Sequence, residues 1–461
     1  MSKKLNDRKR YAIVGLGGRS CLFSDAILDS HRDTSELVGL CDKNQTRMNY
    51  HNSQFKKKYQ AEPFPTFMAQ DFEQMILVTK PDTVIVTTMD SIHHEYIVKA
   101  MELGCDVITE KPMTINVESC QKILDTIERT GKKLKVSFNY RYAPSRSKVK
   151  ELLLSDTIGK VTSIHFEWLL DTRHGADYFR RWHRQKKNSG GLMVHKSTHH
   201  FDLVNWWLDS SPETVFGFGQ LGFYGKDNAQ ERGVERFYER GTDNEAALKE
   251  DPFALNLRDG GELENLYLNA EHEDGYQRDQ SVFSDGIDIE DTMNLLVRYH
   301  SGAQMSYSLT AYCPWEGFRI AFTGTKGRIE LEEVETSYIN SGGGSSGEGE
   351  SQKQSLTVRP MWEKPYNVSF EKGEGSHAGG DVQMLKDIFG SETIKDPLER
   401  AAGHIDGVRS ILTGIAANKS FSTGAPVIID KMMSIQALPH GNVNLEPSLD
   451  VESKARTAQL T

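Results

Sequence analysis

The chain has 461 residues, too many for one ordinary hydrophobic core, so two domains are expected. Hydrophobic residues make up 37% and charged residues 26%, a globular balance that excludes a disordered or fibrous chain. With 55 basic against 65 acidic side chains the net charge is −10, which carries no electrostatic footprint for nucleic acid or an anionic membrane.

Met1 to Arg10 is charged and runs straight into a strand-like segment. No apolar stretch of signal-peptide or membrane-spanning length follows. Cys21, Cys41, Cys105, Cys120 and Cys313 are scattered, with no CxxC pair, so neither a disulfide framework nor a zinc ribbon is indicated. Reduced thiols and a cytoplasmic location are the expectation.

In chain order, Tyr11–Val14 reads as a strand, followed by glycines and a helix-like stretch from Leu22 to Ser30. Leu37–Cys41, Thr83–Thr87 and Asp106–Thr109 are further short apolar strands separated by helix-like segments. Continuous apolar strands alternating with helices predict a parallel sheet covered on both faces, hence an N-terminal doubly wound Rossmann domain over residues 1–135. After Lys135 longer strands with alternation appear: Val161–Leu169, Met293–Tyr299, Ala303–Leu309 and Phe318–Phe322. They predict a C-terminal α/β domain over 136–437, built on a large, mostly antiparallel sheet. A polar insertion over about 221–280 is rich in charge and poor in periodicity. Residues 341–351 read as a flexible low-complexity loop, and 438–461 as a polar tail.

The turn Gly15-Leu16-Gly17-Gly18-Arg19-Ser20 joins the first strand to its helix. Its first glycine permits a tight turn and its second lets backbone amides approach a pyrophosphate at a helix N-terminus. Ser20 stands where a third glycine is usual, so looser helix–strand packing is expected. Asp42, closing the second strand, is placed to accept hydrogen bonds from the adenosine ribose and to repel a 2′-phosphate. The cofactor expected is therefore NAD, with NADP less favoured, although Lys43 and Arg47 lie close enough to soften the preference.

Thr88-Met89-Asp90-Ser91-Ile92-His93 and Thr109-Glu110-Lys111-Pro112 resemble the glucose–fructose oxidoreductase/inositol dehydrogenase (Gfo/Idh/MocA) family. The likeness takes in Gly104–Ile108, Asn139-Tyr140-Arg141, Ile158–Val161 and Gly324–Arg328, but not the polar insertion or the tail. It implies a cofactor site that includes Thr88, His93, Glu110 and Lys111, with Lys111 reaching both the nicotinamide ribose and the reacting hydroxyl. An ammonium there stabilises a developing alkoxide. The resemblance also implies a homodimer or homotetramer assembled through the open face of the second sheet.

Family members read Gly-Gly, then Asp and His four residues apart, then Asp three later. In Gly190–Asp202, His199 and Asp202 match, while His195 replaces the first Asp. On one helix, positions 195, 199, 202 and 206 share a face. His199 is the expected base, because an unperturbed imidazole titrates near neutrality, with Asp202 orienting it and His195 as a second hydrogen-bonding group. Histidines at i and i+4 are also a metal-ligand spacing, for which Asp288, Glu290 and Asp291 would supply oxygens, but no HExxH accompanies them and no metal is expected. Arg181, Trp182, His183, Lys196 and His377 are the further substrate-contact candidates, an ordinary ion pair being the plainer reading of Lys196.

These residues predict a dehydrogenase acting on CH–OH groups, moving hydride between NAD and a ring hydroxyl of a small sugar, glycoside or cyclitol. Redox-neutral glycoside cleavage by oxidation and elimination around a tightly bound NAD is the chemical alternative. A dinucleotide-binding sensor without catalysis is a third reading, against which Lys111 and His199 together argue.

Overall fold

The computed structural model describes residues 8–339, 353–373, 376–390 and 396–433; the loop 341–351 and the tail 438–461 lie outside the described residues. Two sheets organise the chain. The first contains β1 (Lys9–Val14), β2 (Ser35–Asp42), β3 (Thr66–Met68), β4 (Thr83–Val86), β5 (Asp106–Thr109) and β6 (Leu134–Val136). Every pairing in it is parallel, in the order β3-β2-β1-β4-β5-β6. The order reverses between β1 and β4, so a crevice opens at the carboxyl ends of those two strands, where open α/β sheets bind ligands. Strands β1, β2, β4 and β5 are buried almost end to end, the two-sided burial that their apolar runs required.

The second sheet adds β7 (Val161–Asp171), β8 (Pro212–Gln220), β9 (Thr292–Tyr299), β10 (Gln304–Cys313), β11 (Glu316–Gly324), β12 (Gly327–Thr336), β13 (Lys353–Pro360), β14 (Tyr366–Asn367) and β15 (Val427–Ile428). Its order is β14-β13-β12-β11-β7-β10-β9-β8-β15. Only β7 and β10 run parallel; the other pairs are antiparallel. Burial alternates along β9, with Met293, Leu295, Val297 and Tyr299 inside and Asn294, Leu296 and Arg298 outside. One face is therefore covered, by helices Thr198–Leu208 and His404–Thr423, and the other is open.

The two sheets share a continuous apolar core, in which Ala12, Val14, Val84 and Val86 of the first join Phe166 and Trp168 of the second, together with Phe138 and the helical Phe201. Helix Gly380–Phe389 comes late in the chain yet returns to the first sheet. Its Phe389 ring meets Tyr11 edge-on at 5.0 Å, and the Phe389 carbonyl accepts a bond from the Thr34 hydroxyl at 2.8 Å.

Two expectations need correction. The insertion is not featureless: it carries short helices at Lys226–Glu231, Glu245–Glu250, Glu262–Leu266 and Glu271–Asp274 around a small cluster of Leu257, Leu266 and Tyr267. The stretch Gly190–Asp202 is not one helix either. Leu192–His195 is a single turn and Thr198–Leu208 the true helix. Between them the Ser197 amide reaches back five residues to the Leu192 carbonyl, and the Ser197 hydroxyl bonds Tyr307 at 2.8 Å. The regular ladder breaks there, so His195 and His199 do not ride one helical face.

Candidate active site

A cleft of about 490 Å³ lies where the carboxyl ends of β1 and β4 face the second domain. Gly15 opens its floor with φ +87, and a Cβ there would lie 2.7 Å from the Thr87–Thr88 peptide. Only glycine lets the turn pass so close to the end of β4. At Gly17 the only atom near a Cβ position is the Tyr267 hydroxyl, at 3.6 Å. The loop opens onto helix Ser20–Leu28 and has the turn that a pyrophosphate needs, so the residues fit a dinucleotide, although here the Tyr267 hydroxyl of the insertion holds the Gly18 amide at 3.0 Å. Ser20 departs from its expected place: its side chain is buried, donates to the Gly17 carbonyl at 2.7 Å and does not line the cleft. The hydroxyl closes the turn, which is why a residue larger than glycine is accepted.

Asp42 is buried at the end of β2 and accepts bonds from the amides of Leu16 at 2.5 Å and Asn44 at 2.9 Å. Arg19 pairs with Glu110 at 2.6 Å and Asp381 at 3.5 Å, and Glu110 also accepts the Lys111 amide at 3.1 Å. His93, fully buried, faces the carbonyls of Pro112 at 2.9 Å and Thr88 at 3.0 Å. It is a strut that fixes the Lys111–Pro112 turn against the end of β4, and it borders the cleft together with Thr88.

At the centre, a side chain of the first domain meets one of the second. Lys111 Nζ lies 3.0 Å from the His195 carbonyl and 3.4 Å from His195 Nε2. On the far side of the ring, His195 Nδ1 is 2.5 Å from Asp90 Oδ2. Burial pulls the Lys111 amine down to about 8, against the opposing pull of Asp90 and Glu110. Burial, then the charges of Lys111 and Arg181, push His195 well below the ordinary imidazole value. The ring is therefore neutral near pH 7. Burial pushes the Asp90 carboxyl well up and the Lys111 charge pulls it back; in the ionised form that Lys111 favours, Asp90 takes Nδ1–H and Nε2 presents its lone pair to Lys111. Asp90 belongs to the Thr88–His93 motif, but only the fold shows that it stands behind His195.

His199 also borders the cleft, its ring stacked on Tyr140 at 4.0 Å and 8°. Asp202 does not reach it. Its two oxygens take Arg141 Nε at 2.7 Å and Nη2 at 2.5 Å, all buried, and it lines no part of the cleft. Lys196 is not in a surface ion pair: it is buried, donates to the Tyr140 hydroxyl at 3.1 Å and sits 5.1 Å from the Trp168 ring.

Arg181, Trp182 and His183 border the cleft, Trp182 stacking on His183 at 3.6 Å and His183 meeting His195 edge-on at 4.2 Å. Sequence reasoning missed His174 and Tyr178 in helix Thr172–Arg180. His174 bridges Glu316 at 2.7 Å and the Tyr178 hydroxyl at 3.0 Å, and both line the wall. The side chain of His377 lies outside the described residues. Asp288, Glu290 and Asp291 are held elsewhere, by Lys186 and by the amides of Gly222–Tyr224. Among the described residues no group of three or more His, Cys, Asp or Glu converges as metal ligands.

Residues 9–138 match the family description "Oxidoreductase family, NAD-binding Rossmann fold", and residues 150–429 match its "C-terminal alpha/beta domain". The chain belongs to the Gfo/Idh/MocA oxidoreductase family. Over 453 residues, 93% of this chain and 99% of the other, it is 36% identical to YteT of Bacillus subtilis (strain 168), which carries the name of an oxidoreductase. It is 30% identical over 207 residues to glucose-6-phosphate 3-dehydrogenase of the same organism, covering 44% of this chain and 54% of that protein. In fold it resembles the WlbA dehydrogenase of Bordetella pertussis, solved with NADH and UDP-GlcNAcA, with a TM-score of 0.59 over 91% of this chain and 98% of that one at 16% identity. As a member of the Gfo/Idh/MocA family with sugar and inositol dehydrogenases among its relatives, the chain is an NAD-binding dehydrogenase acting on CH–OH groups. Among the described residues no helix is long and apolar enough to cross a membrane.

Proposed function

We propose that this dehydrogenase exchanges hydride between NAD and a ring hydroxyl of a sugar, glycoside or cyclitol in the cytoplasm. Glycine-loop amides, Asp42, Thr88 and Glu110 would hold the dinucleotide, which supplies the two-electron acceptor or donor. Lys111 steadies the substrate oxygen as its charge grows. The hydroxyl proton goes to Nε2 of His195, and the Asp90 carboxylate behind the ring steadies the imidazolium that results. His199, the base expected from the family pattern, borders the same cleft and is the second imidazole within it. The contact that carries this reading is the meeting of Lys111 with the Asp90–His195 pair across the domain boundary.

Arg181, Trp182, His183, Lys196, His174 and Tyr178 give the wall the cationic, aromatic and hydrogen-bonding surface that suits a polyhydroxylated ring. The outer face of the second sheet, where Phe218 and Leu296 are 67% and 60% exposed, is proposed as the surface through which copies assemble into a dimer or tetramer.

A panel of sugars, glycosides and inositols with NAD, followed by NADH absorbance, tests the reading. Lys111→Met should abolish turnover, and His195→Ala should lower kcat by roughly 100-fold or more, the usual worth of a positioned base. Turnover surviving in Lys111→Met, or a His195→Ala enzyme as fast as the wild type, would overturn the assignment; a loss confined to His199→Ala would return the base role to His199. One observation favours redox-neutral glycoside cleavage as a second reading: the insertion reaches over the glycine loop, Tyr267 holding the Gly18 amide at 3.0 Å that a pyrophosphate would take over, so cofactor exchange would require the insertion to move. Product formed with no net NADH would select cleavage.

A further inference from the structure

The insertion belongs to the second domain, yet it packs on the cofactor side of the molecule. Asn44 donates to the Ala270 carbonyl at 2.8 Å, and Glu273 accepts the Gln45 amide at 2.5 Å and the Thr46 amide at 2.8 Å. Arg47 donates through Nε to the Leu266 carbonyl at 3.0 Å. These contacts deliver Asp274 to the end of β2, beside Asp42. Asp274 Oδ2 lies 2.6 Å from Arg47 Nη1 and 3.5 Å from Lys43 Nζ, while Asp42 Oδ1 lies 3.7 Å from the same Arg47 nitrogen. All four side chains border the cleft, and the Asp274 side chain is only 4% exposed.

A ribose 2′-phosphate is recognised by cations near the end of the second strand, whereas a ribose 2′-hydroxyl is recognised there by a carboxylate. This chain has both kinds of group in that place. The sequence alone leaves Lys43 and Arg47 available to an anion. In the fold, a carboxylate from a segment more than 200 residues away pairs with both. Arg47 lies between two carboxylates and beneath the Tyr267 and Tyr276 rings, at 5.9 and 6.0 Å. Its Nη2 is buried without a hydrogen-bond partner, which leaves its N–H groups for a ribose hydroxyl while the charge is already matched by Asp274 and Asp42.

We infer that Asp274 is a cofactor-specificity residue: by pairing with Lys43 and Arg47 it removes the two cations that would otherwise accept a 2′-phosphate, and so makes the site selective for NAD over NADP. The inference rests on the dinucleotide reading of the cleft. It adds that selectivity is set jointly by the first domain and the insertion, rather than by Asp42 alone. Discrimination of this kind combines an attractive group for one ligand with a repulsive one for the other.

Equilibrium binding of NADH and NADPH to the full chain, read by nicotinamide fluorescence, tests it without need of a substrate. The wild type should bind NADH the more tightly. Asp274→Asn keeps an oxygen for the Tyr276 amide but removes the charge, and should tighten NADPH by roughly tenfold while moving NADH little, the worth of one charge-assisted hydrogen bond. Lys43→Ala should weaken NADPH far more in the Asp274→Asn background than in the wild type, because only there is the lysine unpaired. Asp274→Ser is the second variant, and circular dichroism on both identifies a folding defect as such. An unchanged NADH-to-NADPH ratio in folded Asp274 variants, or a wild type that prefers NADPH, would overturn the inference. Failure of the wild type to bind either nucleotide would instead overturn the dinucleotide reading itself.

Discussion

Lys111 is a half-buried amine held by three different constraints. The Lys111–Pro112 turn is braced by His93, its ammonium donates to the His195 carbonyl, and Asp90 and Glu110 supply the negative charge that keeps it cationic at all. With its amine pulled down to about 8, mainly by burial, Lys111 is an ammonium at neutral pH and loses its charge within the accessible alkaline range. If its task is to steady an alkoxide, the neutral amine is the wrong form. Thus kcat/KM for alcohol oxidation should fall as pH rises through about 8. His195 is pushed well below the ordinary imidazole value, so the matching acid limb should lie well under neutrality. Lys111→Arg separates charge from titration, since a guanidinium stays protonated throughout. That variant should be slower, because a planar fork does not fit where a compact ammonium did, but the alkaline limb should be gone. A limb at the same pH in Lys111→Arg would assign it to another group. The sequence disclosed the lysine through its motif, but not the environment that sets its titration, because Asp90 and His195 are 105 positions apart and only the docking of the two domains brings them together.

At the scale of elements, the strands were legible wherever an apolar run was short and bounded. Asp106–Thr109 matches β5, and Thr83–Thr87 runs one residue beyond β4. Strand β8 was missed, since Thr214, Val215, Phe216 and Phe218 suit a strand but Pro212, Gly217 and Gly219 interrupt the run, and β9 and helix His404–Thr423 hold it in place. The spacing of positions 195, 199, 202 and 206 in and after Gly190–Asp202 predicts one helix, and that fails at Lys196–Ser197, where the Ser197 hydroxyl finds Tyr307 instead of continuing a regular turn. The error changes chemistry, because Asp202 then lies against Arg141 and not behind His199. A buried bidentate pair is costly to break from one side, typically by about 3 kcal/mol or more, and Asp406, 2.9 Å from Arg141 Nη2, holds the loss here to the lower end of that range. Asp202→Ala should therefore lower stability in chemical denaturation by about that amount, while each folded molecule keeps its turnover. Collapse of turnover at unchanged stability would instead place Asp202 in the chemistry.

For the whole molecule, two surfaces were beyond the reach of local pattern: the insertion, whose charges make sense only against Asn44–Arg47, and the open face of the second sheet. On that face Phe216 and Leu296 are cross-strand neighbours on β8 and β9, with Phe218 two residues further along, while Arg319 pairs with Glu167 and Glu332 nearby. Large apolar side chains at 67% and 60% exposure beside a regular array of charges describe an interface centre with a polar rim better than a surface made only for water. A sheet presenting the same face on each copy can pair about a two-fold axis, so each apolar residue would be buried twice in the dimer. Burying one leucine side chain is worth about 2 kcal/mol, or about thirtyfold in a dissociation constant, and a two-fold interface counts the change on both sides. Leu296→Glu, placed outside the folded core, should leave the thermal unfolding of each subunit nearly intact while light scattering during size-exclusion chromatography shifts from an oligomer toward the monomer mass. A wild type that is monomeric at every concentration, or an oligomer indifferent to Leu296→Glu and Phe218→Glu together, would move assembly to another surface. The cleft opens between the two domains and not through this sheet face, so an isolated Leu296→Glu subunit should still bind NADH.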